Sequence, residues 1–329
     1  MYRRFRRILV GGEYMNFRQA LRNRDMDQLR RVPKSDLHNH FVLGGNREYI
    51  RRTTGVRIDP IVIPLTSMDE MHQWNNVNMG GHFDNPTMRK LLIDATLVQA
   101  KADGVTVLEI GEDVWGLAKF FSNDIAELIS TFHLSQSSLY PEVELRLQIG
   151  MSRHCPIDYL MLCLDQFWGR TEFYSIDLYG DELSQPIKNF VPIYRMAKEN
   201  GLVLKAHIGE WGTADDVIEG VELLELDEVQ HGIAAAQSRT AVRYLRDNGI
   251  RLNVAPSSNV LLGRVRDMKR HPISTLHRNG VEVTVNSDDI LLCDSDVSKE
   301  YFRLYESGCL TDDELEEIRL NGLKPRKAK

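Results

Sequence analysis

The sequence predicts an α/β protein built as a (β/α)8 TIM barrel, with an insertion after the first strand. Two observations carry that prediction. From Pro33 onward, short apolar runs of strand character alternate with amphipathic stretches of helix character, and eight such runs fit in a chain of 329 residues. Histidines and acids recur at the C-terminal ends of those runs, where a parallel barrel carries its functional groups.

Composition narrows the class further. Hydrophobic residues make up 42% and charged residues 27%, the balance of a soluble, enzyme-sized chain. A net charge of −6 gives no electrostatic reason to expect nucleic acid or an anionic membrane as partner, and no apolar run approaches a membrane span. Cys155, Cys163, Cys293 and Cys309 are widely spaced with no C-x-x-C pair. That argues against a disulfide framework and a cysteine zinc site, and suits a reducing cytoplasm. The oligomeric state is not legible. Arg3, Arg4, Arg6 and Arg7 precede Ile8-Leu9-Val10, too short an apolar run for a signal peptide, so residues 1–32 read as a basic tail and an exposed helix at Met26–Arg31. Met15 is an alternative start of translation. Residues 33–329 then form a single domain.

The elements follow in order. The first strand is Ser35–His40, followed by a short helix around Arg47–Arg52. An excursion from Thr54 to Asp84 contains Leu65, Met68, Met71, Trp74 and Val77 among flexible glycines, which suits a lid over a site or an ordinary packing insertion. Asn85-Pro86 opens a helix through Lys101, with Leu91, Leu92, Ala95 and Val98 at helical spacing. Strand two is Val105–Ile110. A helix over Asn123–Leu139 leads to strand three, Val143–Gly150, and a helix over Cys155–Trp168 to strand four, Phe173–Tyr179. Helix Ile187–Asn200 closes at Gly201, and strand five is Leu202–His207. Thr213 caps the next helix, with Asp215 and Asp216 in its first turn. Strand six is Glu228–His231, strand seven Ile250–Ala255 and strand eight Val281–Ser287. Helices Gln237–Asn248 and Pro272–Asn279 precede the last two.

The stretch around which the rest is organised is Lys205-Ala206-His207-Ile208-Gly209-Glu210. His207 sits at the lip of strand five, and Gly209 lets the turn carry Glu210 back over it. His38 and His40 share a face of strand one, because side chains alternate along a strand, and so grip one ion together. His38, His40, His207 and one of Asp288 or Asp289 make a nitrogen and oxygen donor set suited to zinc, one ion per chain, with water completing the shell. Glu210 is placed to transfer a proton beside that centre, and His231 to accept a hydrogen bond from the water. Lys205 has the parity of His207 and invites comparison with binuclear sites bridged by a carboxylated lysine. It lies on strand five rather than strand four, so a buried ion pair with Asp177 or Glu109 is the expected role.

These residues fall in six motifs, in order along the chain: Asp36-Leu37-His38-Asn39-His40, Ile176 to Glu182, His207-Ile208-Gly209-Glu210, His231-Gly232, Pro256-Ser257-Ser258-Asn259 and Ser287-Asp288-Asp289. In this the chain resembles the adenosine deaminase family of the metal-dependent amidohydrolases, from about Pro33 to Asp313. The resemblance implies zinc on His38, His40, His207 and Asp288, with Glu210 protonating purine N1. It implies that His231 orients the attacking water and stabilises the charge that develops on it, that Asp289 and the Gly180 N–H hold N7 and N3, and that His40 also borders the substrate. The implied reaction is hydrolytic release of ammonia from a 6-aminopurine, adenosine or a similar nucleoside, giving the 6-oxopurine. Free adenine, a 5′-modified nucleoside, a nucleotide or another amidohydrolase reaction are the alternatives.

Two positions depart from the pattern. Val42 stands where adenosine-specific members carry an acid for the sugar hydroxyl, and Gly111 where arginine is common.

Overall fold

The computed structural model describes residues 9–10, 13–14 and 16–326; the basic tail and Met15 fall outside them. Eight parallel strands form one sheet: β1 Lys34–Asp36, β2 Val105–Ile110, β3 Glu144–Ser152, β4 Phe173–Tyr179, β5 Val203–Ile208, β6 Glu228–His231, β7 Arg251–Val254 and β8 Glu282–Val285. Each pairs with its neighbour in chain order, so sequence order and order around the rim coincide. Helices cover the outside; Pro86–Ala102, for example, lays Leu91, Leu92, Ala95 and Leu97 inward, and Asn85 caps its first turn.

Between β1 and β8 the ladder is replaced by side chains. Asn286 Oδ1 accepts the Leu37 N–H at 2.9 Å, Asp36 Oδ1 accepts the Ser287 N–H at 3.1 Å, and one bridge joins Asn39 to Asp288. This explains why β1 ends at Asp36 and not at the expected His40: beyond it the backbone bonds to side chains and turns. Helix Asp312–Gly322 covers the seam so closely that a Cβ on Gly322 would lie 1.9 Å from Ser35 Oγ.

Inside the barrel, Lys205 Nζ lies 2.6 Å from Glu109 and 3.1 Å from Glu228, and Glu228 also binds Arg251 and Asn253. All three members of the lysine cluster are fully buried, where charges persist only when paired. Of the two expected partners of Lys205, Glu109 is the one found, joined by Glu228; Asp177 bonds to His207 instead.

Two further regions differ from expectation. The helix Met26–Arg31 is docked and not free: Leu29 is buried and Arg30 reaches Asp296 at 3.2 Å. At the other end, helices Val297–Glu306 and Asp312–Gly322 were not anticipated, although Thr311 and Glu314 form a capping box. Within the excursion, Met68–Asn78 is a helix capped by Ser67, and its Met71, His72 and Asn75 reach the cavity at the C-terminal rim of the barrel.

Candidate active site

The C-terminal rim surrounds a cavity of about 300 Å³. His40, His207, Glu210, His231, Asp288, Asp289 and Gly180 line it, so the expected residues meet in one place, with His38 just beneath. Going round the rim, β5 supplies His207 and Glu210, β4 Tyr179 and Gly180, β3 Ser152, β2 Gly111 and Asp113, β1 His40 and Val42, and β8 Asp288 and Asp289.

The three histidines converge on a point. His207 Nε2 lies 3.0 Å from His38 Nε2 and 3.2 Å from His40 Nε2, and Asp288 Oδ1 stands 3.4 and 3.5 Å from the same two His38 and His40 nitrogens. The far side of two of these rings is already committed. His38 Nδ1 donates to the Asn253 carbonyl at 3.0 Å, and His207 Nδ1 to Asp177 at 3.3 Å. A neutral ring carries one proton, so both present a bare Nε2 to the centre, and bare nitrogens at such spacing need a shared cation. Residues and group therefore fit: three imidazoles and a carboxylate are a nitrogen and oxygen set for a zinc-type ion. Burial holds His40 neutral down to about 4. Against its own burial, the Asp288 carboxylate draws His38 up to about 9, so a proton there competes with an ion for Nε2. Backbone strain supports the assembly: His231 and Asp288 both take the left-handed conformation, at φ 61 and 57.

Glu210 is held by a second acid. The Glu182 carboxylate accepts the N–H groups of Gly209, Glu210, Trp211 and Gly212, at 2.6, 3.1, 2.8 and 3.2 Å. One side chain thus pins the whole turn, which is the physical sense of pairing Glu182 with the Gly209-Glu210 step. Burial, then the negative charges of Asp288 and Glu182, push Glu210 up to about 8, so its carboxyl keeps a proton near neutrality. A bound cation would offset the Asp288 contribution. Burial and the adjacent Asp288 also raise Asp289 well above the carboxylate range, and its buried Oδ1 has no protein partner while the residue faces the cavity. Such an atom is set for a ligand.

Sequence reasoning missed Asp113 and Ser152. Asp113 continues β2 through a bridge to Gly150, and Ser152 ends β3. The Ser152 hydroxyl donates to Asp113 Oδ2, the Trp115 N–H approaches Oδ1 at 3.3 Å, and burial pushes Asp113 up to about 7. Gly111 has a steric cause: a Cβ there would meet the Gln148 carbonyl oxygen at 1.6 Å, so no arginine fits this backbone. Val42 does line the cavity, with Leu43, Met71, Trp115 and Leu262.

Bare imidazole nitrogens around one point, beside a carboxyl that keeps its proton, equip a barrel to split bonds with water, which is the work of metal-dependent hydrolases. Comparison with known proteins narrows that class. The family model described as adenosine deaminase matches residues 163–327, and the chain belongs to this family of hydrolases acting on C–N bonds. It is 29% identical over 294 residues to a Treponema pallidum protein named "Putative adenosine/adenine deaminase", covering 88% of this chain and 96% of that protein. It is 31% identical over 183 residues to the adenine deaminase of Stutzerimonas stutzeri, covering 55% of this chain and 58% of that one. The structure of an adenine deaminase from Arthrobacter aurescens superimposes with a TM-score of 0.77 at 24% identity, over 88% of this chain and 92% of the other, a likeness of fold.

Proposed function

We propose that the chain hydrolyses the exocyclic C6–N bond of a 6-aminopurine, releasing ammonia and the 6-oxopurine, and that its preferred substrate is the free base, adenine. The observation that carries the reaction is the convergence of three Nε2 atoms and Asp288 beside a turn that fixes Glu210. His38, His40, His207 and Asp288 would hold one divalent ion, zinc by donor type, whose Lewis acidity lets water ionise near neutral pH. Glu210 delivers its proton to N1, which draws electron density from C6 and opens it to the oxygen of water. N1 keeps that proton in the product; of the two protons of the water, one reaches the amino nitrogen, which leaves as ammonia when the C6–N bond breaks, and the other restores Glu210. Asp289, kept protonated by burial and by its neighbour Asp288, donates to N7, and Gly180, at a φ of 90 that suits glycine alone, brings its backbone against N3.

The order of the rim supports the free base. With N1 at Glu210 on β5, N3 at Gly180 on β4 and N7 at Asp289 on β8, the remaining ring nitrogen, N9, turns to the arc between β4 and β8. Ser152 and Asp113 stand on that arc. A carboxylate there accepts the N9–H that a free base has and a nucleoside lacks. Among the described residues lining the cavity there is no lysine or arginine to receive a phosphate, which speaks against a nucleotide. Val42 adds an apolar wall where a sugar hydroxyl would need a partner.

Ammonia release from adenine, adenosine, 2′-deoxyadenosine and AMP by the metal-loaded enzyme tests this. Adenine is expected to give the highest kcat/KM and AMP the lowest. Failure of the whole panel would overturn the reaction, and preference for adenosine would overturn the assignment of the N9 wall.

A further inference from the structure

His271 lies behind the active site, fully buried and outside the cavity lining. Burial, with no charged neighbour contributing, brings its pKa down to about 3, so the ring is neutral at working pH. The Ile273 backbone N–H donates to its Nδ1 at 3.2 Å. That nitrogen is therefore the acceptor, and the single ring proton sits on Nε2. Nε2 lies 3.3 Å from Asn259 Oδ1, so His271 donates to the amide oxygen and fixes which way the amide points. Its NH2 must then face the site, where Nδ2 lies 3.0 Å from Glu210 Oε1 and 3.0 Å from His231 Nδ1. Both of those atoms accept, one from each amide proton. Asn259 is itself fully buried, so a reversed amide would set its NH2 against the His271 Nε2–H, two donors with no water to relieve them.

The consequence reaches the reacting groups. His231 Nδ1 carries no proton, so the neutral ring holds its proton on Nε2, the nitrogen that faces Asp288 across 3.9 Å. We propose that His271 is a positioning residue which, through Asn259, sets the tautomer of His231, so that His231 presents an N–H and not a lone pair to the water that attacks the substrate. His231 then stabilises negative charge on that oxygen, the role the resemblance implies, and does not take its proton, so the acceptor role read from the strand order is set aside. The same amide occupies Glu210 Oε1, leaving Oε2 as the oxygen that carries the proton to N1. This rests on the reading of His231 as the group beside the attacking water, but the tautomer itself is measured without substrate.

The test uses the metal-loaded enzyme with 15N-labelled histidine and long-range proton–nitrogen correlation, with His231 assigned by the loss of its signals in His231→Gln. His231 is expected as the Nε2–H form. In His271→Phe, which keeps a ring but offers no donor, the Asn259 amide is free to turn. His231 should shift toward the Nδ1–H form, and kcat should fall about tenfold or more, with KM within about twofold and metal content unchanged. His271→Gln, which restores a donor, should recover part of both. If the phenylalanine variant does not fold, Asn259→Asp decides the same question, because an acid oxygen in place of the NH2 draws the His231 proton onto Nδ1. Finding the Nδ1–H form in the unmodified enzyme, or no change of tautomer in the variants that fold, would overturn the proposal. A purine panel that shows no turnover alongside the expected tautomers would overturn the function and leave the relay standing.

Discussion

Asp113→Asn separates the two halves of the substrate assignment. Asparagine keeps the shape, an oxygen that accepts the Trp115 N–H, and a partner for the Ser152 hydroxyl, so the fold should survive. What it loses is charge on a buried atom at the cavity wall. A hydrogen bond to a charged group contributes about 1.5–3 kcal/mol, so kcat/KM for adenine should drop roughly 10- to 150-fold. Adenosine, with no N9–H, should lose little, and the ratio between the two substrates should shrink by the same factor. The pH profile gives a second readout. Burial pushes Asp113 up to about 7. Its carboxylate form, the one that accepts N9–H, is therefore present above that value and lost below it. kcat/KM for adenine should rise through about pH 7 in the native enzyme, and that limb should be missing in the asparagine variant. The measurement is steady-state ammonia release across pH at fixed metal occupancy. Equal losses on both substrates, or an unchanged acid limb, would refute the assignment of Asp113 to N9.

Three further outcomes are expected. Elemental analysis should find one divalent ion per chain, and chelation should abolish activity reversibly; two tightly held ions would point to a bridged pair, against the ion-paired state of Lys205. Glu210→Gln should lower kcat by about 100-fold or more while the ion stays bound, since the residue moves a proton and holds no metal; loss of the ion would make it a ligand. Glu182→Ala should leave the buried Gly209 N–H without its acceptor, at a cost of about 1–3 kcal/mol by urea titration, and should lower kcat through a loosened Glu210. An unaltered kcat would show that the turn holds its shape without the carboxylate.

Strands stood out in the sequence wherever an apolar run ended in an unambiguous turn: Val105–Ile110, Phe173–Tyr179 and Glu228–His231 have the expected boundaries. β1 is shorter than expected because side chains, not a ladder, close the seam, and no periodicity in residues 35–40 records that. The residues expected at the centre were legible because they sit in short motifs at strand ends, where alternation fixes their direction. Asp113 and Ser152 were not. Each is an ordinary polar residue after a strand, one of them among 47 acids, and only the pairing of β2 with β3 brings them together. Asn259 and His271 lie twelve residues apart with a turn between them, so their contact has no sequence period either. Lys205 was tractable because a buried ammonium demands an acid, and parity limited the choice to a few inward-facing neighbours.

The seam between β1 and β8 has a consequence for biosynthesis. His38 follows the first strand and Asp288 the last, so an ion held by both would join parts of the chain separated by nearly the entire barrel. A ribosome-bound chain that has emerged only as far as β7 has its histidines but not its carboxylate, and the helix that covers the seam follows later still. Tight metal capture should thus be among the last events of maturation. A fragment comprising residues 163–327 would contain Glu210, His207 and Asp288, but neither His38 nor His40, and should be unable to retain the ion.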